Sequence, residues 1–152
     1  MSVQGLNKLE VWRRAKGFAL RVYHDVLPLL PAEEKYGLNQ QLRRSASSVP
    51  ANIAEGHGRF YYKDNVRFCY NARGSLDETL SHIVLCCDLG FIPQEIYKPL
   101  EQEGEEISKM LNGYISFLKK SKQGEHEPGA EYMVHDEIEP YITDIEKDAT
   151  SR

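Results

Sequence analysis

Arg43-Arg44-Ser45-Ala46-Ser47-Ser48-Val49-Pro50-Ala51-Asn52-Ile53-Ala54-Glu55-Gly56-His57-Gly58-Arg59 is the stretch whose reading decides the fold. Wound as a helix, it sets Leu42, Ser45, Ala46, Val49 and Ile53 on one stripe at steps of three and four. Gln41, Arg44, Ser48, Asn52 and Glu55 fall on the opposite stripe. The residues between are nearly all Ser or Ala, and small side chains let a neighbouring helix approach closely. An ordinary amphipathic helix with a solvated polar face fits this pattern. So does a helix that packs in its own bundle and against another subunit as well. On the second reading Arg44, Ser47, Ser48, Ala51, Asn52 and Glu55 form an oligomer interface. Pro50 lacks an N–H and crowds the carbonyl of Ala46, so a kink is expected near Ser47 to Val49. Gly56 and Gly58 are placed to stop the helix.

Outward from this stretch the chain reads as further helices. Met1 to Asn7 has little pattern and is expected to be loosely held. A first helix is expected from about Lys8 to Leu30, with Leu9, Trp12, Ala15, Ala19, Val22, Val26 and Leu30 inward and Val11, Phe18 and Leu29 widening the apolar surface. Pro28 is awkward near its end, and Pro31 closes it. Pro31 to Gly37 is a short connection with room for a helical turn. His57 to Lys63 is aromatic and basic, suited either to stacking bases and holding phosphates or to packing against a helix end.

A third helix is expected from about Lys63 to Leu89, with a core stripe of Val66, Cys69, Leu76, Leu80, Ile83 and Cys87, helped by Phe68, Ala72 and Thr79. Arg73 interrupts that stripe, and Asp77 four residues on is a candidate partner. Gly90 is placed to end the helix. A fourth is expected to begin after Pro93 and run to about Lys120, with Leu100, Ile107, Met110, Leu111, Tyr114, Phe117 and Leu118 inward. Pro99 stands near its start. Gly104 and Gly113 allow close packing. Glu101, Glu103, Glu105 and Glu106 suit the positive end of its dipole. The expected architecture is all-α: an antiparallel four-helix bundle over residues 1–121. Residues 122–152 follow as an acidic tail or docking segment, with a polar linker from Lys122 to Gly129. From Glu131 to Ala149 spaced apolar residues recur and Pro140 interrupts.

These motifs carry a resemblance. Tyr36-Gly37-Leu38, Arg43-Arg44, Val49-Pro50-Ala51-Asn52-Ile53-Ala54-Glu55-Gly56 and Gly58-Arg59 resemble the signature of the small bacterial four-helix-bundle proteins. That family includes the 23S ribosomal RNA intervening-sequence proteins and the accessory variability determinant of diversity-generating retroelements. Leu9-Glu10-Val11-Trp12, Arg67-Phe68, Gly74-Ser75-Leu76, Glu78 and Leu89-Gly90-Phe91 extend the match across roughly Leu9 to Lys120. A serine cap common near Tyr61 is missing here, and the acidic tail lies outside the resemblance. The resemblance implies a bundle, a five-fold homo-oligomeric ring, and association with nucleic acid and a reverse transcriptase.

Charge is divided along the chain. Met1 to Gly74 holds 12 Lys and Arg against 6 Asp and Glu, whereas Lys122 to Arg152 holds 3 against 9. The basic half makes Arg13, Arg14, Arg21, Arg43, Arg44, Arg59, Lys63 and Arg67 the candidate nucleic-acid contacts, of RNA or DNA. If the helix starts early enough, Arg59, Lys63 and Arg67 line one face at steps of four. A solvated helix face accounts equally for the arginines of the first helix.

No catalytic motif is legible: no phosphate-binding glycine loop, no nucleophile elbow and no paired CxxC. His82 and Cys86 are four apart, but Cys87 points elsewhere and completes no metal site. Ser47, Ser48 and His57 fit packing and loop roles. Glu55 and Glu78 are candidate buried partners of Arg44 or Arg73. Cys69, Cys86 and Cys87 are expected to be reduced core thiols. No apolar run reaches membrane-spanning length, and a cytoplasmic protein without cofactor is expected. Three readings remain: a non-enzymatic oligomeric nucleic-acid accessory protein, a scaffold that binds protein only, and an enzyme, for which no residue speaks.

Overall fold

The computed structural model describes residues 3–126, and the calls on the tail beyond His126 lie outside them. A short helix α1 (Val3–Leu6) precedes four long segments, α2 (Glu10–Arg21), α3 (Leu38–His57), α4 (Tyr62–Asp88) and α5 (Gln94–Ser121). The described residues form no strand.

Each long helix has two main neighbours: α2 packs on α3 and α5, and α4 packs on α3 and α5. Cross-helix partners run in opposite order along α3–α4 and along α4–α5. Arg44 reaches Glu78, while Gly56 lies against Asn65. Asn65 bonds Tyr114, Arg73 bonds Asn112, and Gly104 lies against Leu80. This is the order that antiparallel neighbours give. The core between them is continuous, built on Phe18, Leu42, Ile53, Leu76, Ile83, Leu100, Ile107, Leu111 and Ile115.

The inward stripe of α3 is as expected: Leu42, Ser45, Ala46, Val49 and Ile53 are all buried. The helix runs unbroken through Pro50. Gly56 does not stop it. Its role is close approach, since a Cβ there would lie 2.8 Å from Cβ of Phe68. The chain leaves the helix through Gly58 at an ordinary negative φ.

Other expectations need correcting as well. The first helix ends as α-helix at Arg21, continues as a π-helical turn over Val22–Val26, and closes as a 3₁₀ turn over Leu27–Leu29. Pro28 explains this, because its ring crowds the carbonyl four residues back and it has no N–H to donate. Leu27 is buried there, whereas Leu29 is exposed. The first residues are not pattern-free: α1 buries Leu6. In α5, Phe117 is 62% exposed, and Ile115, two residues earlier, takes the core position. Gly113 faces open space, so it serves no close contact, whereas a Cβ on Gly104 would meet Leu80 at 2.7 Å.

The connections are ordered by specific bonds. The turn expected between Pro31 and Gly37 is a 3₁₀ turn, Ala32–Glu34, and the Glu34 carboxylate accepts from the N–H of Leu38 at the start of α3. α4 ends in a Schellman arrangement, with Phe91 N–H bonding the Cys86 carbonyl, Gly90 N–H bonding Cys87, and Gly90 at φ +79°. The missing cap at the start of α4 is replaced from a distance. The N–H of Tyr62 donates to the carbonyl of Gln123, 2.9 Å away. Lys122 turns the chain with a left-handed φ of 47°, and Gly124 then lies against Phe60 and Tyr61. Residues just past Ser121 therefore close the end of the bundle and are not a free linker.

Candidate nucleic-acid interface

The antiparallel order brings the start of α2, the end of α3, the start of α4 and the end of α5 to one end of the bundle. Arg13, Arg59, Lys63 and Arg67 from the predicted set belong to that end, joined by Lys119 and Lys120 of α5 and by Lys122 just past it. The α5 lysines escaped the sequence reading because they lie far along the chain, in a segment that is acidic as a whole.

Arg59 sits in the connector and Arg67 on the second turn of α4. Their guanidinium carbons lie 5.3 Å and 5.2 Å from the ring centre of Phe68. The expected single-face ladder therefore becomes a pair of cations about one phenyl ring, and Lys63 is half-buried on the first turn of α4. Arg59 also bonds Glu55 at 2.7 Å, and Arg67 lies 4.0 Å from Asp64. The Glu55 pair is exposed on both sides, worth little in water and easily exchanged for another anion, whereas Asp64 is buried.

Of the predicted arginines, Arg14, Arg43 and Arg44 reach across to a neighbouring segment, whereas Arg13 and Arg21 pair locally. Arg14 forms a two-pronged bond to Glu103 of α5, at 2.9 Å and 3.1 Å, and also reaches Glu106. Those bonds hold its proton more tightly still, so it is charged at any accessible pH. The acidic start of α5 thus has a partner beyond its own dipole. Arg44 bonds Gln41 and crosses to Glu78 on α4. Glu78 is therefore the partner of Arg44, as foreseen, but on the surface and not buried. Arg43 bonds Asn39 and covers the ring of Tyr23 at 5.1 Å. Arg13 pairs with Glu10, and Arg21 lies 3.9 Å from Asp25. Arg73 does not take Asp77: it stacks on Tyr70 at 4.9 Å and bonds Asn112 at 3.0 Å.

Next to Arg59 a cavity of about 300 Å³ opens at the end of the bundle. Leu9, Phe60, Phe117 and Leu118 supply apolar wall, and His57, Asn65, Tyr114 and Gln123 supply polar groups. Asn65 donates to the Tyr114 hydroxyl at 3.1 Å, and His57 Nδ1 lies 3.4 Å from the same oxygen. Burial pushes the Tyr114 hydroxyl up from its ordinary value, against the bond from Asn65, so it stays a neutral donor. No carboxylate lines this cavity.

On α3 the small members of the predicted interface set are Ser47, Ser48, Ala51 and Asn52, while Arg44 and Glu55 are exposed and paired with Glu78 and Arg59. Ser47 and Ser48 turn their hydroxyls back onto the carbonyls of Arg43 and Arg44, and Asn52 turns its amide onto Ser48. Ala51 is exposed. Among the described residues no group of three or more His, Cys, Asp and Glu is placed to hold a metal ion. Cys86 is buried, its thiol pushed up to about 11 mainly by that burial, and His82 faces Glu78 at 3.5 Å. No described helix is long and apolar enough to cross a membrane.

Comparison with known proteins agrees with this architecture. A crystal structure of a protein of unknown function from the S23 ribosomal protein family of Bacteroides thetaiotaomicron superposes with a TM-score of 0.63. It is 26% identical, over 69% of this chain and 97% of that one. No curated protein matches the chain. The family model for the 23S rRNA-intervening sequence protein matches residues 7–113, from before α2 into α5, and the chain belongs to that family.

Proposed function

We propose that this chain is a non-enzymatic, oligomeric accessory protein that binds single-stranded nucleic acid at the basic, aromatic end of its bundle. The observation that carries the reading is the pair of cations, Arg59 and Arg67, about Phe68, beside a cavity without carboxylates. Cations next to stacking surfaces suit a strand whose phosphates and bases alternate. Arg14 and Arg44 are tied across helices, and in this reading they hold the bundle and leave the contacts to Arg13, Arg59, Lys63 and Arg67.

Oligomerisation is part of the same proposal. The face of Ser47, Ser48, Ala51 and Asn52 has its polar groups satisfied by its own helix, so covering it strands few donors or acceptors. A heterologous contact through this face closes into a ring when its rotation fits. A ring of five, and a reverse transcriptase as partner, come from the family resemblance. A ring would repeat one modest basic end several times, and a strand reaching several copies binds far more tightly than one.

The test is a titration of the full chain with single-stranded RNA and DNA across a salt series, beside native mass spectrometry. Binding that weakens linearly in log salt, by an oligomer of defined size, supports the proposal. No binding at low salt rejects it in favour of a protein-binding scaffold, and a monomer at micromolar concentration rejects the ring.

A further inference from the structure

We propose that the cavity at the basic end captures one unstacked base of the bound strand. This rests on the nucleic-acid reading above and adds to it a specific pocket.

The walls are apolar and the depth is polar. Phe60 and Phe117 are 59% and 62% exposed, two phenyl rings turned to solvent at the mouth of one cavity. Phe117 lies nearly parallel to Tyr114, at an interplanar angle of 14°. A flat aromatic guest at this mouth covers surface that is otherwise wetted, and every base has such a face. Deeper in, Asn65, Tyr114 and His57 form a linked set of amide, hydroxyl and imidazole. These are the donors and acceptors that read the edge of a base and that a purely apolar guest would leave unused. Asn65 is itself buried and fixed by Cys69 and by the close approach of Gly56, so the set is preorganised.

The charge at the mouth matches what a base brings with it. Arg59 borders the cavity, and its partner Glu55 is an exposed residue four positions back. A backbone phosphate replaces Glu55 at little cost, because the pair is exposed on both sides and water already competes for it. A volume of about 300 Å³ is at the small end of ligand sites, sufficient for a base with part of its sugar and too small for a folded segment.

The experiment uses the full chain and a short oligouridine carrying a single 5-iodouridine, which on irradiation couples to an aromatic ring stacked against it. The adduct is located by peptide mass spectrometry. The expected adduct is on Phe117, Phe60, Tyr114 or His57, in both the ribo- and the deoxy-oligomer. Phe117→Ala, at an exposed position that leaves the fold intact, abolishes the Phe117 adduct and weakens binding about tenfold or more. Arg67→Ala weakens binding but leaves the adduct in the cavity. Salt-dependent binding with adducts only elsewhere, on Phe68 or on Tyr36 at the opposite end, overturns the pocket and leaves the nucleic-acid reading standing. So does a Phe117→Ala protein that binds as the wild type does. No binding of any oligomer at low salt overturns both.

Discussion

A Cβ atom added to Gly56 would lie 2.7 Å from the amide oxygen of Asn65. The same atom would lie 3.0 Å from the Asn65 backbone carbonyl, so a rotation of the side chain alone does not relieve the contact. This glycine sets the distance between α3 and α4 at the end of the bundle that carries the cavity.

Gly56→Ala should therefore force the two helices apart and lower stability by about 1–3 kcal/mol. Gly113→Ala should do the opposite. Gly113 lies inside α5, with nothing within 4 Å of an added Cβ, and alanine there gains helix propensity worth about 0.5–1 kcal/mol. Urea unfolding of both variants measures the difference. A Gly56→Ala protein as stable as the parent would mean that the helices are not so close.

The arginines should separate into two classes. Arg14→Ala breaks a two-pronged, partly buried bond to Glu103 and should cost about 1 kcal/mol, with a coupling of similar size in a double-mutant cycle with Glu103→Gln. Its effect on nucleic-acid affinity should be small. Arg59→Ala should change stability by less than about 0.5 kcal/mol, since its pair with Glu55 is exposed. It should flatten the salt dependence of single-strand binding, by about 0.7 in log–log slope for each lost phosphate contact. Unfolding and binding curves on the two variants decide it, and the reverse pattern would move the interface to the α2–α5 seam.

The three thiols should differ in the same way. Burial pushes Cys69 up to about 12 and Cys86 to about 11, and both are covered, while Cys87 is half-buried. Since the thiolate is the reactive form, Cys87 should react first with a thiol reagent at pH 8 and the other two only on unfolding. The sign of the stability effect follows from the same shifts. An unfolded thiol ionises near 9, whereas these hold their protons to about 11 and 12. Their contribution is complete below pH 9 and is lost as the pH rises through that window. Chemical unfolding at pH 8 and pH 10.5 should give a lower stability at the higher pH, by less in a Cys69→Ala background than in the parent.

These contrasts mark what could be read from the chain alone. Periodicity located the inward stripe of α3 and most of that of α4, because a helical face is a local property, but it placed Cys87 inward where the structure buries Cys86. It assigned Phe117 inward and passed over Ile115, since two apolar residues two positions apart lie on different faces and spacing does not say which one meets a neighbour. Partners across helices were the hardest to see. Arg14 and Glu103 are 89 residues apart, and only the packing of α2 on α5 brings them together. The basic end was half legible: Arg59, Lys63 and Arg67 stood in one short stretch, but the cavity beside them also needs Leu9 and the end of the chain's last helix, far along the sequence. Asn65 carried no signal as its hub, because nothing local distinguishes a buried asparagine from a surface one.

The acidic tail offers the last test, and the structure sharpens how to make it. Lys122 to Arg152 carries 9 Asp and Glu against 3 Lys and Arg. The chain enters that segment beside the basic end: Gln123 lines the cavity and caps Tyr62, and Gly124 touches Phe60. A cut after Ser121 would remove the cap and confuse loss of structure with loss of the tail. A cut after His126 keeps it. Exposed charges act over about 8 Å at physiological salt, so the tail affects binding only if it returns to the end it leaves from. A tail that competes for Arg59, Lys63 and Arg67 predicts that the protein ending at His126 binds single-stranded RNA more tightly than the full chain. The gain should be largest at low salt and shrink as salt rises, because both the competitor and the strand are screened. Equal affinities across the whole series would show that the tail does not compete. Weaker binding after the cut, with unchanged thermal unfolding, would mean that its spaced apolar residues instead help to hold the strand.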